Sequence, residues 1–216
     1  MASPVPRAPR ARIRTRDPED KRARVLAAAR TLFAERGYAA TTTADVSRLA
    51  HVSEGILFHH YGSKEGLLAA VAADYGRALG AAMAAAGEAA GATPPDGAEA
   101  MLRGAFEFVR EQGVLARLLL LTSDPNAQQT VRQAARSEIV AAIESALADP
   151  RGSERMRPMD TAIVASLLYA LVEAALTECF VRGDGAREED YLREAVRCVE
   201  GAVLRRDAPR QSPEAR

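Results

Sequence analysis

Three helix-start signals and two very short turns lie within residues 41–68, and this spacing limits what the chain can fold into. Thr42 and Asp45, three residues apart, form the pattern of a capping box. Apolar residues follow at helical spacing, namely Val46, Leu49 and Ala50. The pattern predicts a short helix over residues 44–50.

A second cap, Ser53, comes only three residues after that helix. It predicts another short helix over residues 54–60, with Ile56 and Leu57 turned inward. Two helices joined by so tight a turn must cross steeply, as they do in a helix-turn-helix.

A third helix is predicted directly afterwards. Gly62 interrupts the chain, and Ser63 caps a helix that begins at Lys64. A cation beside the free amides of a first helical turn suits a phosphate oxygen, through its charge and through the unused donors.

The residues of this stretch resemble the N-terminal signature of the tetracycline-repressor (TetR) family of bacterial transcription regulators. The positions that carry the resemblance are Thr41, Thr42, Val46, Val52, Ser53, Gly55, Leu57, Phe58, His60, Tyr61, Ser63, Lys64, Glu65, Leu67 and Leu68. Upstream it extends through Val25, Leu26, Ala29, Leu32, Phe33, Gly37 and Tyr38. It therefore covers about residues 20–70, and beyond them only length and helical layout agree.

Three positions depart from the usual pattern of that family. His51 stands where Gly is usual in the turn; a positive φ costs least for Gly, although His tolerates it better than most residues. Phe58 stands where Tyr is commoner, so the ring can pack but a hydroxyl that could reach a phosphate is missing. Ser47 stands after the inward position of the first short helix, where the family usually has a small residue, and this departure is mild.

The first residues of the helix after Ser53 are the part of a helix-turn-helix that enters the major groove. We therefore expect Ser53, Glu54 and Gly55 to meet base edges, with His59 further along. A carboxylate accepts a hydrogen bond from the cytosine amino group and repels phosphate. We therefore expect Glu54 to contribute more to sequence selectivity than to DNA affinity. The predicted DNA-binding set is completed by residues suited to phosphates, and by the Phe58 ring: Thr42, Thr43, Phe58, His60 and Lys64.

The three histidines of this stretch raise the alternative of a metal site. His59 and His60 diverge by about 100° on a helix, because a turn takes about 3.6 residues. With only His51 besides and no other ligand type nearby, the sequence predicts neither a metal nor a cofactor.

The charges of the chain are unevenly distributed. Residues 1–66 hold twelve Lys and Arg against seven Asp and Glu, a net charge of +5; the remainder holds seventeen against twenty-two, a net charge of −5. A basic N-terminal part on an acidic body is expected of a DNA-binding head on a non-binding core. The alternative is chance, aided by the Arg-rich start.

The pattern predicts an all-α chain in four parts. Residues 1–16, rich in Pro and Arg, form a disordered basic arm that either reaches an adjacent minor groove or is only a solvated terminus. Residues 17–66 form the helix-turn-helix domain. Residues 67–206 form a helical effector-binding and dimerisation domain, and residues 207–216 a disordered tail.

Breaks at Gly, Pro and Asp divide the body into helices. The predicted spans are 64–90, 97–112, 114–121, 127–148, 160–182 and 187–206. Residues 162–181 are apolar enough for a membrane span, but Glu173 and Glu178 within them favour a buried helix. No signal peptide is recognisable, so we expect a cytoplasmic protein.

Two cysteines, Cys179 and Cys198, lack metal-ligand or redox-pair spacing. We expect both to be small buried hydrophobic residues, with a sensor thiol as the alternative.

The helix over residues 160–182 is apolar on two sides, and such a helix needs burial on both. One side carries Ile163, Leu167, Ala170 and Ala174, and the other Val164, Leu168, Leu171 and Ala175. A second copy of the chain could cover one side, with the helix over 187–206 alongside it through Leu192, Val196, Val199 and Val203. The resemblance implies the same homodimer, since TetR-family proteins dimerise through their last two helices; a monomer is the alternative.

Polar groups that interrupt apolar helix faces are candidates for orienting a small ligand, although each could also be a satisfied core residue. The predicted ligand-binding set is Phe106, Phe108, Arg110, Leu118, Leu121, Tyr169, Glu173, Thr177 and Phe180. By resemblance, a largely apolar effector there would shift the helix from Lys64 and release DNA.

The sequence thus predicts a ligand-responsive repressor that binds a near-palindromic operator as a homodimer. An enzyme is not expected, because no paired acid and base, nucleophile constellation or phosphate loop is recognisable. A helical interaction protein of the same fold without DNA binding is the alternative.

Overall fold

The structure is a computed structural model that describes residues 18–91, 97–113, 115–116 and 125–205. The α-helices of these ranges include α1 (Pro18–Ala40), α2 (Thr43–Leu49), α3 (Glu54–Tyr61), α4 (Lys64–Ala89), α5 (Ala98–Glu111), α6 (Pro125–Leu147), α7 (Thr161–Leu176) and α8 (Glu188–Val203). Over the described ranges there is no strand, only an isolated bridge between Met156 and Leu204. The predicted all-α class is confirmed, while the arm, the tail and most of the helix predicted over 114–121 lie outside the described residues.

Helix α1 supports the two short helices through one apolar stripe. Val25, Ala29 and Phe33 are fully buried, and the Phe33 ring meets Tyr38 edge-on at 5.5 Å between centroids. The regular helix stops at Gly37, whose φ of +80° is easily reached only by a residue without a Cβ. The buried Thr41 hydroxyl then donates to the Gly37 carbonyl at 2.9 Å, which fixes the turn into α2.

The predicted caps of this region have mixed outcomes. The capping box is confirmed: the Asp45 amide donates to Thr42 Oγ1 at 3.1 Å, and the Thr42 amide to Asp45 Oδ2 at 3.3 Å. Ser63 accepts from the Gly66 amide at 3.0 Å, also as expected. Ser53 occupies the cap position of α3, but its side chain makes no capping hydrogen bond.

The predicted inward face of α2 is wrong in one position. Val46 and Ala50 are buried, but Leu49 is 46% exposed and Ser47 is buried in its place. Residues 46, 47 and 50 lie within about 100° of one another around a helix, whereas 49 lies beyond their edge. Similarly, Leu57 is fully buried on α3 while Ile56 is only partly so.

Helix α4 packs both against the helix-turn-helix domain predicted over residues 17–66, the head, and against the helical domain predicted over residues 67–206, the body. Its first turns pack Leu67, Leu68 and Val71 into the core of the head. Further along, Leu79 and Met83 enter the core of the body.

Two glycines set the contact between α4 and α6. A Cβ at Gly76 would lie 2.7 Å from the Ala135 carbonyl oxygen, and one at Gly80 would lie 2.9 Å from the Ala142 Cβ. Both distances are shorter than an ordinary carbon contact of about 3.5–4.0 Å. The two helices therefore meet backbone to backbone along this stretch.

Helix α7 has one buried and one open side. Val164 and Leu168 are buried, whereas Ile163 is 59% and Leu167 65% exposed. The helix continues as a π-helix over Thr177–Arg182, which the sequence did not predict.

Helix α8 corrects two expectations. Its Leu192 and Val203 are buried in the core of their own chain, with Val196 and Val199 packed against it, so this stripe does not face outward. Cys179 is buried as expected, but Cys198 is exposed.

Helix α4, and α7 with its π-helical continuation, are long and apolar enough to cross a membrane by length and composition alone. Each buries one side in the protein core, and core helices of soluble proteins pass the same test.

Candidate nucleic-acid interface and effector cavity

The start of α3 forms an exposed edge on the head. Ser53, Glu54 and Gly55 are all exposed, while Leu57 beneath them anchors the helix in the core. Among the described residues, a Cβ at Gly55 would meet only Ser53 Oγ, at the ordinary distance of 3.9 Å. Packing inside the chain therefore does not require Gly55, and the short residue leaves room for another molecule to approach the backbone.

A hydrogen bond that the sequence did not predict joins α2 to α3. The Thr43 hydroxyl donates to Glu54 Oε2 at 3.3 Å. Thr43, which we expect to contact a phosphate, is therefore hydrogen-bonded to Glu54, which we expect to contact a base. Thr42 is engaged as well, because its hydroxyl donates to Asp45 Oδ2 at 2.7 Å. The hydrogen bond from the Thr42 hydroxyl has the largest effect on the pKa of Asp45, and with those from the Thr42 amide and from Arg48 it holds that pKa below its usual value.

The later residues of α3 extend the same exposed surface. Phe58, His59 and His60 are exposed, and the two imidazole rings lie 5.3 Å apart between centroids. Among the described residues, no group of three metal-binding side chains comes together.

Lys64 lies at the edge of this surface, in the first turn of α4. Its Nζ donates to the Ala39 carbonyl at 3.3 Å and sits 4.3 Å from the centroid of the Tyr38 ring. Partial burial lowers the pKa of Lys64. An ammonium has three donors, so Lys64 can keep one of these contacts and still meet an anion.

The described lining of a cavity in the body comes from four helices and from Ala116. Its volume is about 70 Å³. The lining residues are Tyr75, Leu79, Val109, Ala116, Gln128, Val131, Arg132, Ala135, Ile139, Tyr169, Val172, Glu173, Leu176 and Thr177. Three predicted residues, Tyr169, Glu173 and Thr177, are brought together here, and they form a polar edge with Gln128 and Arg132 of α6.

The other predicted ligand-binding residues lie elsewhere. Phe106 is fully buried, with its ring edge-on to Phe180 at 5.8 Å, and Phe108 packs on Tyr75 at 5.3 Å. Arg110 is on the surface, where Nη1 lies 3.0 Å from Glu188 Oε1. None of these four is among the described lining residues, because aromatic rings on α5 fill the core and a guanidinium prefers solvent. Leu118 and Leu121 lie outside the described residues.

A chain of ion pairs connects the head to the body across α4. Arg30 Nη1 of α1 lies 3.3 Å from Asp74 Oδ2, and Arg77 Nη2 lies 3.4 Å from Asp74 Oδ1. Arg77 Nη1 in turn lies 3.0 Å from Glu138 Oε1 on α6. The orientation of α1 is thus linked electrostatically to the helix that carries Arg132.

Comparisons with known sequences agree with this arrangement. The family described as bacterial regulatory proteins, tetR family, matches at residues 25–71. Over 53 residues, 24% of this chain, the identity to an HTH-type transcriptional repressor of Mycobacterium tuberculosis is 45%, and the match covers 28% of that relative. The HTH-type transcriptional repressor KstR2 of Rhodococcus jostii is 46% identical over 48 residues, which are 22% of this chain and 24% of the relative. The matches thus span less than a third of these relatives.

Solved structures extend the likeness over most of the chain, as a likeness of fold. A protein of Mesorhizobium loti assigned to the TetR family of transcriptional regulators has a TM-score of 0.63 at 19% identity, and the match covers 88% of this chain and 100% of that protein. NalD, a secondary repressor of a multidrug efflux pump in Pseudomonas aeruginosa, has a TM-score of 0.56 at 19% identity, covering 89% and 100%. Residues 25–71 thus match the tetR family of bacterial regulatory proteins, and the likeness over the rest of the chain is one of fold.

Proposed function

We propose that the protein is a transcriptional repressor that binds a near-palindromic operator as a homodimer in the cytoplasm and is released from DNA by a small effector. The observation that carries this proposal is the exposed start of α3, together with the partly exposed Lys64 at the start of the next helix, α4. An exposed helix start offers base-reading side chains, and a flanking cation offers a phosphate contact. Its relatives are named as transcriptional regulators and not as enzymes.

Glu54 and Lys64 have different roles in this proposal. Glu54 would leave Thr43 to accept from a cytosine amino group, which frees the Thr43 hydroxyl for a phosphate. Lys64 would turn from the Ala39 carbonyl toward the backbone of the DNA. Gly55 lets the start of α3 come close to the base edges.

A gel shift against the intergenic DNA beside its own gene tests the binding step. Lys64→Ala should weaken binding and reduce the salt slope by about one, whereas Glu54→Ala should relax sequence selectivity more than affinity. Arg193→Ala, an exposed cation of α8, is the matched control and should bind as the wild type does. Absence of any sequence-selective, salt-sensitive complex would favour the alternative, a helical interaction protein without DNA binding.

The open side of α7 supports the homodimer. Ile163 and Leu167, one turn apart, expose apolar side chains next to the exposed Ala170 and Ala174. A continuous apolar strip of this kind is typical of an interface between protein copies. The exposed Cys198 and Gly201 of α8, not the buried apolar stripe of that helix, would contribute the second half of the interface.

Sedimentation tests the homodimer directly. Leu167→Glu should give a monomer at micromolar concentration and weaken operator binding, because an unpaired carboxylate would be buried in the interface. Ser145→Glu, on the exposed side of α6, should remain dimeric. A wild-type monomer at micromolar concentration would contradict the proposal.

The effector step rests on the position of the cavity. Tyr75 and Leu79 place α4 in the cavity wall, and the same helix begins beside the proposed phosphate contact at Lys64. A ligand that binds better when α4 has moved would shift the two heads of a dimer out of register with the operator.

A further inference from the structure

Among its described lining residues, the cavity of the body has one carboxylate, Glu173, together with Arg132 and with aromatic and aliphatic side chains. Resting on the effector step of the proposed function, we infer that the ligand is a small apolar molecule with one positive charge that takes the place of Arg132 beside Glu173. Three features of the lining support this class of ligand: the unequal exposure of the ion pair, the rings beside it, and the size of the cavity.

The ion pair in the lining is long and unequally exposed. Arg132 Nε lies 3.9 Å from Glu173 Oε1, and the arginine side chain is 61% exposed against 28% for the glutamate. Arg132 can therefore turn into water at little cost, whereas Glu173 stays in the wall and needs a cation. An anionic ligand that took Arg132 would leave the less exposed carboxylate without that cation, although Glu173 would still accept a hydrogen bond from the Tyr169 hydroxyl.

Two tyrosines line the same cavity as the carboxylate. Tyr75 comes from α4, and Tyr169 lies one turn before Glu173 on α7. The faces of such rings attract an ammonium group, and the Thr177 hydroxyl adds an acceptor to the same edge. Arg136, whose guanidinium lies 5.8 Å from the Tyr169 centroid, is exposed and is not among the described lining residues, so solvent screens its charge.

The size of the cavity sets the size of the ligand. About 70 Å³ is far below the roughly 300–1,000 Å³ of pockets for drug-sized molecules. Departure of Arg132 would enlarge the space at the side of α6. The remaining wall, with Leu79, Val109 and Ile139, is apolar and suits a body of about one ring.

Calorimetric titration of the full-length protein with three matched probes tests the inference. The probes are 2-phenylethylamine, 2-phenylethanol and 3-phenylpropionate, which share a ring and a short chain but carry a positive, no and a negative charge. We expect the amine to bind at least about tenfold more tightly than the other two, as charge-assisted hydrogen bonds are about twice as strong as neutral ones.

Two substitutions should act in opposite directions on the amine. Glu173→Gln should lose the preference for the amine, whereas Arg132→Gln should tighten its binding several-fold, because the competing cation is gone. A merely structural ion pair would not give opposite signs. Glu178→Gln and Arg182→Gln are the matched controls, since this neighbouring pair is not among the described lining residues, and both should bind the amine as the wild type does.

Several results would overturn the inference. These are a preference for the alcohol or the carboxylate, weaker amine binding by Arg132→Gln, or no binding of any probe. Because the titration contains no DNA, a gel shift of the same variants without probe tests the proposed repressor separately. Amine binding without operator binding would overturn the proposed repressor function but support the cationic ligand. Operator binding without a preference for the amine would overturn the cationic ligand but support the repressor function.

Discussion

The head and the body of the protein are both helical, yet the surfaces proposed for binding differ, because polar side chains predominate at the start of α3 and apolar ones on the open side of α7. The head keeps Leu57 inside and exposes Glu54 and His60 on the same short helix. The body instead exposes Leu167 of α7 and turns Glu173 of the same helix into a cavity. The difference fits the partners proposed for each part, because exposed polar groups suit a charged polymer and a strip of exposed apolar groups suits a second copy of the chain.

The two regions also share a feature, because each core holds one fully buried phenylalanine with an edge-on aromatic partner. Phe33 meets Tyr38 in the head, and Phe106 meets Phe180 in the body. Helix α4 packs into both cores, so the regions differ on their surfaces more than in their interiors.

The largest effects are expected from removing these two rings. Phe33→Ala and Phe106→Ala should each lower the free energy of unfolding by about 3–5 kcal/mol, through lost burial and the cavity left behind. Because α4 joins the cores, urea unfolding followed by circular dichroism should remain one transition for both variants. Two separate transitions would contradict the role of α4, and Phe→Leu at either position should cost less.

A gain in stability is expected from removing a buried hydroxyl of the head that has no hydrogen-bond partner among the described residues. The Ser47 hydroxyl is buried, and within the described part of the chain it has no hydrogen-bond partner. Ser47→Ala should raise the free energy of unfolding by about 1 kcal/mol, the lower end of the cost of an unsatisfied polar group. The exposed Ser145→Ala should stay within about 0.5 kcal/mol of the wild type in the same urea titration. A destabilised Ser47→Ala protein would show that the hydroxyl is satisfied.

A smaller effect on stability is expected where the two regions are tied together. Asp74→Asn removes the carboxylate that Arg30 and Arg77 share, and these side chains are 32–49% exposed, so the loss should be about 0.5 kcal/mol. Operator affinity should fall more clearly, by several-fold, because the head is less firmly oriented on the body. Asp190→Asn, which breaks similar pairs on α8, should leave the gel shift unchanged. Equal affinities for the two variants would show that the ion pairs do not orient the head.

The smallest effect on stability is expected from lowering the pH. The pKa of Asp45 is lowered in the folded protein, so its contribution to stability is present above its ordinary value near 3.9 and is lost as the pH falls through the lower folded value. Thr42→Val should flatten this dependence, because it removes the hydroxyl that bonds the carboxylate. Melting temperatures between pH 2 and pH 7 check this, and an unaltered acid slope in Thr42→Val would contradict it.

Much of the head could be predicted from sequence because its signals are local. A capping box and a cap three residues before a free amide involve neighbours along the chain, and the Thr42–Asp45 and Ser63–Gly66 bonds form as expected. The position of Leu49 could not be predicted, since a helix of seven residues with few apolar positions does not fix the centre of its buried face. The Thr43–Glu54 bond depends on how α2 and α3 cross.

The body could be predicted less fully because its site is assembled across helices. Polar interruptions of one apolar helix pointed to Tyr169, Glu173 and Thr177. Arg132 and Gln128 lie on a helix with ordinary polar spacing, so only tertiary packing shows that they share the same edge. For α8, the apolar spacing was read correctly, but whether it faces its own core or a partner is a question of topology.

The close approach of α4 and α6 at Gly76 and Gly80 has a consequence for protein engineering. A chimera that joins the head of another regulator to this body would import the other protein's residues along α4. Any side chain at these two positions would force the helices apart, so a graft should end before Gly76. Before that boundary a graft would have to fit Leu115, Ala127 and Val131 of the body, which pack into the core of the head, whereas beyond it the whole contact with α6 would have to be redesigned.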